Sequence, residues 1–325
     1  MQRVLDILVN HGAVEDILIE AHPHIGTNKL PKVVEAMRET IIHFGGEIHF
    51  DTRMDDLILK ENSIKGIKTQ AGDVIEADAL ILATGHSARD VFELLDKKKI
   101  LIEAKPFAMG VRVEHPQQLI NDIQYHGDRS GLLPAASYKL VEQVQDNQFA
   151  NSGIVVAIEL SDLRKYSQHG ALAGLAYQKE VEQNVWKAGG SDQTAPAQKL
   201  TDFVKGKSST NLNDTSYMPG LNSARMNEIL PPAIADRLRQ AFPKFGQKMK
   251  GYFTDEANII GIESRTSSPV RNPRKRDTLQ HPQIDNLFPC GEGAGYAGGI
   301  VSAGIDGENC AEAALAYLHF DYRSV

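Results

Sequence analysis

The chain has 325 residues, 42% of them hydrophobic and 24% charged, which is enough for two domains or one elaborated domain. A net charge of −7 with a pI near 5.9 argues against a general nucleic-acid or anionic-membrane surface. No apolar run approaches the roughly 20 residues of a spanning helix and no signal-peptide pattern opens the chain, so no membrane partner is expected and the cytoplasm is the default compartment.

The first elements are helical. Val4, Leu5, Ile7, Leu8 and Val9 form an apolar stripe directly after Met1, and residues 3–10 and 14–20 are predicted as short helices around His11-Gly12. No leading strand precedes them, as expected of a chain that begins inside a larger architecture. Residues 21–26 are expected as a loop, with Thr27 or Asn28 capping a helix over 30–44. That helix has Pro31 in its first turn and Leu30, Val33, Val34, Met37, Ile41 and Ile42 at helical spacing. Gly45-Gly46 stops it, and 47–50 is predicted as a strand.

The period then changes to two. Residues 56–60 and 63–69 predict a hairpin across Glu61-Asn62, and a turn at 71–73 leads into 74–76. Residues 79–83 are a continuous apolar run of the buried-strand type, ending at Thr84-Gly85-His86. Farther on, strands are predicted over 107–113, 154–160 and 259–263. Helices are predicted from His115-Pro116 to Tyr125 and over 170–188, 223–230 and 232–249. Trp186 and its helix are expected in the core, and 189–222, rich in Gly, Ser, Thr, Asn and Pro, as a long lid-like loop.

The strongest signal closes the chain. An apolar strand over 286–290 runs into C-G-E-G-A-G-Y-A-G-G-I-V-S-A-G-I-D-G, from Cys290 to Gly307, and an Ala-rich helix is predicted over 300–318. A strand, a glycine loop and a helix start make an anion cradle: glycine lets the backbone approach a ligand, and the helix start presents unpaired N–H groups. Gly293-x-Gly295-x-x-Gly298 matches the dinucleotide fingerprint letter by letter. That fingerprint, however, belongs at the first βα turn of a βαβ unit, with an acidic residue about 20 residues on at a second strand. The remaining residues leave no room for that strand, so the segment reads as a cofactor loop other than the adenine-end one.

Five motifs carry a resemblance: H-I-G-T-N-K-L-P (24–31), A-T-G-H-S-A-R-D (83–90), K-P-F-A-M-G-V-R (105–112), E-S-R-T-S-S-P-V-R (263–271) and the 291–307 segment. On these the sequence resembles, over nearly its whole length, a bacterial family of FAD-dependent dehydrogenases (NAD(P)/FAD-dependent oxidoreductases) whose reaction is not established. The resemblance implies FAD as cofactor and an α/β fold. A partial FAD-binding sheet of the glutathione-reductase type would be built from residues 1–104 and 264–325, with an inserted α+β substrate or cap domain over 105–263. It also implies a flavin-dependent oxidoreductase acting on a small-molecule substrate, with NAD(P)H as a candidate partner. Gly291, Glu292, Gly293, Gly298, Gly299 and Ile300 would wall the cofactor, and Thr84 and Gly85 would lie near its ribityl or phosphate region. Arg265 is the catalytic candidate, orienting substrate.

The chain departs from that family twice. Members begin with a βαβ unit carrying G-x-G-x-x-G, which nothing here matches, and they carry a C-M-C-P-G-G-like segment. Here Val141-Glu142-Gln143-Val144 runs almost directly into Gln148-Phe149-Ala150. A shortened chain with weakened FAD binding is therefore expected. A cofactor-free fragment or binding module is the alternative, and a flavin-linked tRNA-modifying protein is a third reading.

Other residues admit plainer readings. Arg265 could hold a carboxylate by a forked contact or simply pair with Glu263, and the residues alone leave both open. The basic run 271–276 fits a solvated surface better than RNA contact. His22-x-His24 fits a turn better than a metal pair, and no metal site is expected. Thr27, Asn28 and Lys29 suit helix capping as well as cofactor contact. Cys290 and Cys310 lie far apart in sequence with no C-x-x-C, which argues against a disulfide framework, a zinc site and a flavin-linked dithiol centre. For Cys290 packing is favoured over redox chemistry. Tyr296 could stack on a ring or fill space.

Overall fold

A computed structural model describes residues 1–19, 29–127, 133, 135–136 and 149–322. The 21–26 loop with His22 and His24, capping by Thr27 or Asn28, and the junction over 141–148 lie outside the described residues. In chain order the elements are α1 (Gln2–Asn10), a 3-10 turn (Glu15–Leu18), α2 (Leu30–His43), β1 (Met54–Lys60), β2 (Ser63–Thr69), β3 (Val74–Glu76), β4 (Leu80–Leu82), α3 (Arg89–Lys97) and β5 (Glu103–Ala104). They continue as β6 (Phe107–Pro116), α4 (Gln117–Gln124), β7 (Phe149–Ile158), 3-10 turns (Leu160–Leu172), α5 (Ala173–Gly189), β8 (Ala195–Lys199), α6 (Leu200–Lys205), β9 (Leu221–Ser223), α7 (Met226–Ile229), α8 (Pro232–Lys248) and β10 (Asn258–Glu263). The chain closes with β11 (Val270–Arg271), β12 (Leu287–Pro289), α9 (Gly291–Ala294) and α10 (Ile300–Tyr322). This is a mixed α/β protein with several sheets, in two compact units.

The first unit comprises Met1–Lys105, Gly170–Leu172 and Ser267–Val325. It holds an antiparallel meander β1-β2-β3, an antiparallel pair β5-β11 and a parallel pair β4-β12. In the parallel pair Leu287 stands opposite Leu80, Phe288 opposite Ile81 and Pro289 opposite Leu82, so both strands end at the same edge. Asn286 ties this pair to the meander. Its buried side chain accepts from the Ile64 N–H at 2.7 Å and donates to the carbonyls of Ile64 (2.7 Å) and Asp78 (2.8 Å). One stripe of α10, with Cys310 and Ala314, packs against Phe288 and Cys290. Val301 and Ile305 meet Val4, Leu5 and Leu8 of α1. A Cβ at Gly304 would lie 2.9 Å from Val4 Cγ1, so the small residue sets how closely α1 approaches.

The second unit, Pro106–His169 and Ala173–Thr266, is built on a five-stranded sheet of order β7-β6-β10-β8-β9. All its pairings are antiparallel except β8–β9. Alternate residues of β6 (Phe107, Met109, Val111, Val113) join Leu238, Phe242, Tyr252 and Ile259 in the core. Gly110, on the other face, lies so close to β7 that a Cβ there would overlap the Ile154 carbonyl.

Several expectations need correction. Residues 47–50 form no strand: Ile48 and Phe50 are exposed, and among the described residues no strand pairs with them. The apolar run 79–83 is a strand over three residues only, with Ile81 37% exposed on a narrow two-stranded ladder. Trp186 is 50% exposed. Gln178, Val181, Val185 and Gly189 mark the buried stripe of α5, and Trp186 lies one residue, about 100°, off it. That helix starts at Ala173 rather than Gly170, whose φ of 54° and ψ of −126° are not helical. The stretch 189–222 is no long loop but holds β8, α6 and β9. Its Ala-Pro-Ala-Gln looks loop-like yet fits a buried strand. Pro196 sits before the stretch paired with β10, where its missing N–H costs no ladder bond to that neighbour. Among the described residues, no helix is long and apolar enough to cross a membrane.

Candidate functional site

In the first unit, the parallel pair delivers two glycine turns to one edge. β4 leads through exposed Thr84 to Gly85 (φ +71°), and β12 leads through Cys290 to buried Gly291 (φ +73°), both in the left-handed region open to glycine. α9 follows at once and packs Gly293 on the Gly85 turn: a Cβ on Gly293 would stand 2.7 Å from the Gly85 oxygen and 2.9 Å from its carbonyl carbon. Gly295, at φ +83°, ends α9. Gly298 and Gly299 follow with nothing within 4 Å of where a Cβ would be. The glycines thus divide: Gly293 is small because backbone fills the space, whereas Gly298 and Gly299 border open space.

The first turn of α10 starts at exposed Ile300, and its leading N–H groups have no helical partner by geometry. Gly298 N–H is already engaged, donating to Ser302 Oγ at 3.2 Å. Glu292 Oε2 lies 3.3 Å from His86 Nδ1, a half-buried pair, and that Nδ1 makes no hydrogen bond among the described residues. The 271–274 segment wraps the other side. Asn272 N–H donates to the Ala294 carbonyl at 3.2 Å and Arg274 N–H to the Tyr296 phenol oxygen at 3.1 Å. Arg271 Nε and Asn272 Oδ1 are buried without a hydrogen bond among the described residues. Lys105 reaches the same place: a Cβ on Gly295 would lie 3.3 Å from Lys105 Cδ and 3.5 Å from Arg271 Cα. Burial, and after it the Arg271 cation, push the Lys105 ammonium below its usual range. Neither cation has an ion-pair partner among the described residues.

Arg274 is no solvated surface residue. Its guanidinium sits 4.0 Å over the Tyr296 ring and grips Asp306 with both ends, Nη1 to Oδ2 at 2.9 Å and Nη2 to Oδ1 at 2.5 Å. It also donates to the Pro289 carbonyl at 2.8 Å and approaches Cys310 Sγ at 3.3 Å. Asp306 Oδ2 accepts the Gly291 N–H at 2.7 Å, so this pair fixes the entry of the glycine loop. Burial opposes ionisation of Asp306, but Arg274 and the Gly291 N–H overcome it and hold its carboxyl below the usual range. Tyr296 is thereby assigned as a platform for Arg274.

The two cysteines, 20 positions apart in sequence, share one buried cluster here. The strand that ends at Cys290 lies beneath the helix that carries Cys310, and both side chains are buried. The ligand atoms of Cys290, Asp306 and Cys310 all lie within 4.8 Å of one another, as in a metal site, but the cation held there is Arg274. The Cys310 sulfur beside it, and after that burial, push the Cys290 thiol up, and the neighbouring Cys290 thiol lowers that of Cys310, whose Sγ donates to the Pro289 carbonyl at 3.7 Å.

Of the residues singled out in sequence, Thr84, Gly85, Gly291, Glu292, Gly293, Gly298, Gly299 and Ile300 belong to the first unit and gather at this edge. Arg265 belongs to the second. It is exposed and pairs with Glu182 (Nε–Oε1 3.3 Å), while Glu263 pairs with Arg112 at 3.3 Å, so the suggested Glu263–Arg265 pair is not made. Sequence reasoning missed Arg274, Asp306, Lys105 and His86. One signal was present: Asp306 and Cys310 are four apart, hence on one helix face, in a segment otherwise of small and apolar residues.

The fold and the edge defined by two glycine turns describe a mixed α/β protein, and comparison with known proteins adds what it is similar to. Residues 106–148 and 142–266, nearly the whole second unit, match the family model "FAD-dependent protein, C-terminal domain-like". Over 349 residues the chain is 35% identical to an uncharacterised protein of Clostridium beijerinckii, covering 95% of this chain and 64% of that relative's length. Among solved structures, an oxidoreductase from Methanosarcina mazei aligns at 10% identity and TM-score 0.35 (88% of this chain, 54% of that one). The open conformation of a flavocytochrome c3 fumarate reductase aligns at 14% and 0.38 (96% and 62%). Likenesses at that level carry no argument.

Proposed function

We propose that this chain is part of an FAD-dependent oxidoreductase of the dehydrogenase type, with the flavin at the Gly85–Gly293 edge of the first unit. One observation carries the reading. Two glycine turns leave the carboxyl ends of paired parallel strands and pack on each other, and ligands of open α/β sheets bind at such strand ends. The family match over the second unit supports FAD as the ligand. The residues at the edge fit it: open space at Gly298 and Gly299, unbonded polar atoms on His86, Arg271 and Asn272, and two cations without counter-charge. A sheet of the glutathione-reductase type, a small-molecule substrate and NAD(P)H as reductant belong to the same reading.

When bound, FAD would supply two-electron transfer at its ring. The chain's own residues would bind and orient it. Gly298 and Gly299 keep side chains out of the cofactor's space. The leading N–H groups of α10, with Lys105 and Arg271, favour an anionic group near them. His86 Nδ1 and Glu292 Oε2, 3.3 Å apart, are polar groups beside the loop open to a ligand's contacts. Arg265 in the second unit is retained as the candidate for orienting substrate.

Titration with FAD, followed by flavin fluorescence or calorimetry, tests the proposal. Saturable binding is expected, and Gly298→Val should abolish it while leaving the melting temperature unchanged, because the space beside Gly298 is empty of protein. A colourless protein that takes up no FAD at any concentration would assign this chain to the cofactor-free alternative.

A further inference from the structure

We propose that Cys290 and Cys310 are a redox-convertible thiol pair that closes to a disulfide beneath the glycine loop. The two sulfurs come from different elements, the end of β12 and the third turn of α10, and meet in a buried cluster in which their ligand atoms lie within 4.8 Å. The surroundings make the two unequal. Arg274 Nη1 stands 3.3 Å from Cys310 Sγ, and Asp306 is held by Arg274 and the Gly291 N–H. A thiolate at Cys310 therefore has a fixed cation beside it, with the Cys290 thiol in the same buried cluster. Cation-flanked sulfur that can lose its proton is the reactive form of cysteine, and a second thiol in contact is what resolves its oxidation.

The oxidant is a small hydroperoxide, since both sulfurs are buried and bulky disulfides have no path to them. Cys310 sulfur attacks one peroxide oxygen and the O–O bond breaks. The distal oxygen leaves as water, and Cys310 becomes a sulfenic acid. Cys290 sulfur then attacks that sulfur, the S–O bond breaks and a second water leaves. Two thiol protons and two electrons pass from the sulfurs to hydrogen peroxide, giving one disulfide and two waters. The bond would tether the start of the glycine loop to α10 and turn the Cys310 thiol that Arg274 contacts into an uncharged disulfide sulfur, so the loop's oxidation state and its geometry become linked.

The test uses the full chain, reduced, desalted without oxygen and exposed to hydrogen peroxide, then denatured with a thiol-blocking maleimide. The expected product is a monomer about 2 Da lighter with no maleimide attached, its cysteine peptides joined in the digest, and restored by dithiothreitol. Cys290→Ser should instead halt at the Cys310 sulfenic acid, trapped by dimedone present as the peroxide-treated protein is denatured. Two free thiols after prolonged peroxide, over-oxidation without a cross-link, or a bond between two chains would each overturn the proposal. Zinc that binds and shields both thiols, with no cross-link forming in its absence, would overturn it too. The wild-type measurement decides even if the variant fails to fold, and it is independent of FAD binding.

Discussion

Gly293 rests against the Gly85 backbone so closely that a Cβ on it would stand 2.7 Å from the Gly85 oxygen. Two motifs more than 200 residues apart thus form one turn-on-turn contact at the end of a parallel strand pair. The neighbours are backbone and cannot swing aside. Gly293→Ala is expected to destabilise the first unit by about 1–3 kcal/mol, the usual cost of overpacking. Gly298→Ala, in open space, should leave stability unchanged. Thermal or urea unfolding of the two variants side by side checks the contrast; equal stabilities would contradict the packing described.

The Arg274–Asp306 pair is the strongest buried ion pair at the site, with side chains 10% and 9% exposed. Removing one partner strands the other charge, so Arg274→Met or Asp306→Ala should each cost about 3–5 kcal/mol. The double variant should recover part of that loss, which a double-mutant cycle measures. The Asp306 carboxyl is held below its unfolded value. Its stabilisation is therefore present above the ordinary carboxylate pKa near 4 and is lost as pH falls through the lower folded value. A cycle with no coupling energy would remove the pair from this account.

Lys105 and Arg271 face the glycine loop without a counter-charge among the described residues, a costly arrangement unless an anion binds there. Lys105→Gln and Arg271→Gln should each weaken FAD binding about tenfold, the worth of one charge-assisted contact. Affinity should also decline with salt in the wild type and less so in the variants. Unchanged affinity in both would move the anionic part of the ligand elsewhere.

His115 gives the second unit a pH signature. The ring is buried, with Nε2 2.8 Å from the Tyr252 carbonyl, and burial pushes its pKa down to about 4 despite that contact. The folded state thus holds the ring neutral while the unfolded chain takes up a proton near pH 6.5. Stability should be flat above that pH and decline by on the order of 3 kcal/mol between about 6.5 and 4. The single tryptophan, Trp186, lies in this unit and reports its unfolding in urea. His115→Gln should flatten the slope across that window; an unaltered slope would place the effect on other groups.

Much of the local structure was legible. The helices α2, α8 and α10, the hairpin at Glu61-Asn62 and the strand before Cys290 follow from local composition, periodicity and turn residues, which act within a few residues of each other. Where the reading failed, a distant partner decided. Ala195-Pro196-Ala197-Gln198 becomes a strand because β10 and β9 lie beside it, and 47–50 does not because no strand among the described residues does. Gly110 within its motif serves close strand approach, a role invisible without Ile154 across the ladder.

The site divides the same way. Sequence alone determined that a strand, a glycine-rich turn and a helix follow one another over 286–318, and that this order suits an anionic cofactor, because glycine content and helix starts are local properties. Only the tertiary structure decided which glycines face space and which face backbone. It also took Arg274 from the surface to Asp306 and brought Cys290 to Cys310. Those outcomes depend on contacts between residues 20 to more than 200 positions apart, and nothing in a linear pattern fixes which distant side chain will share a buried space.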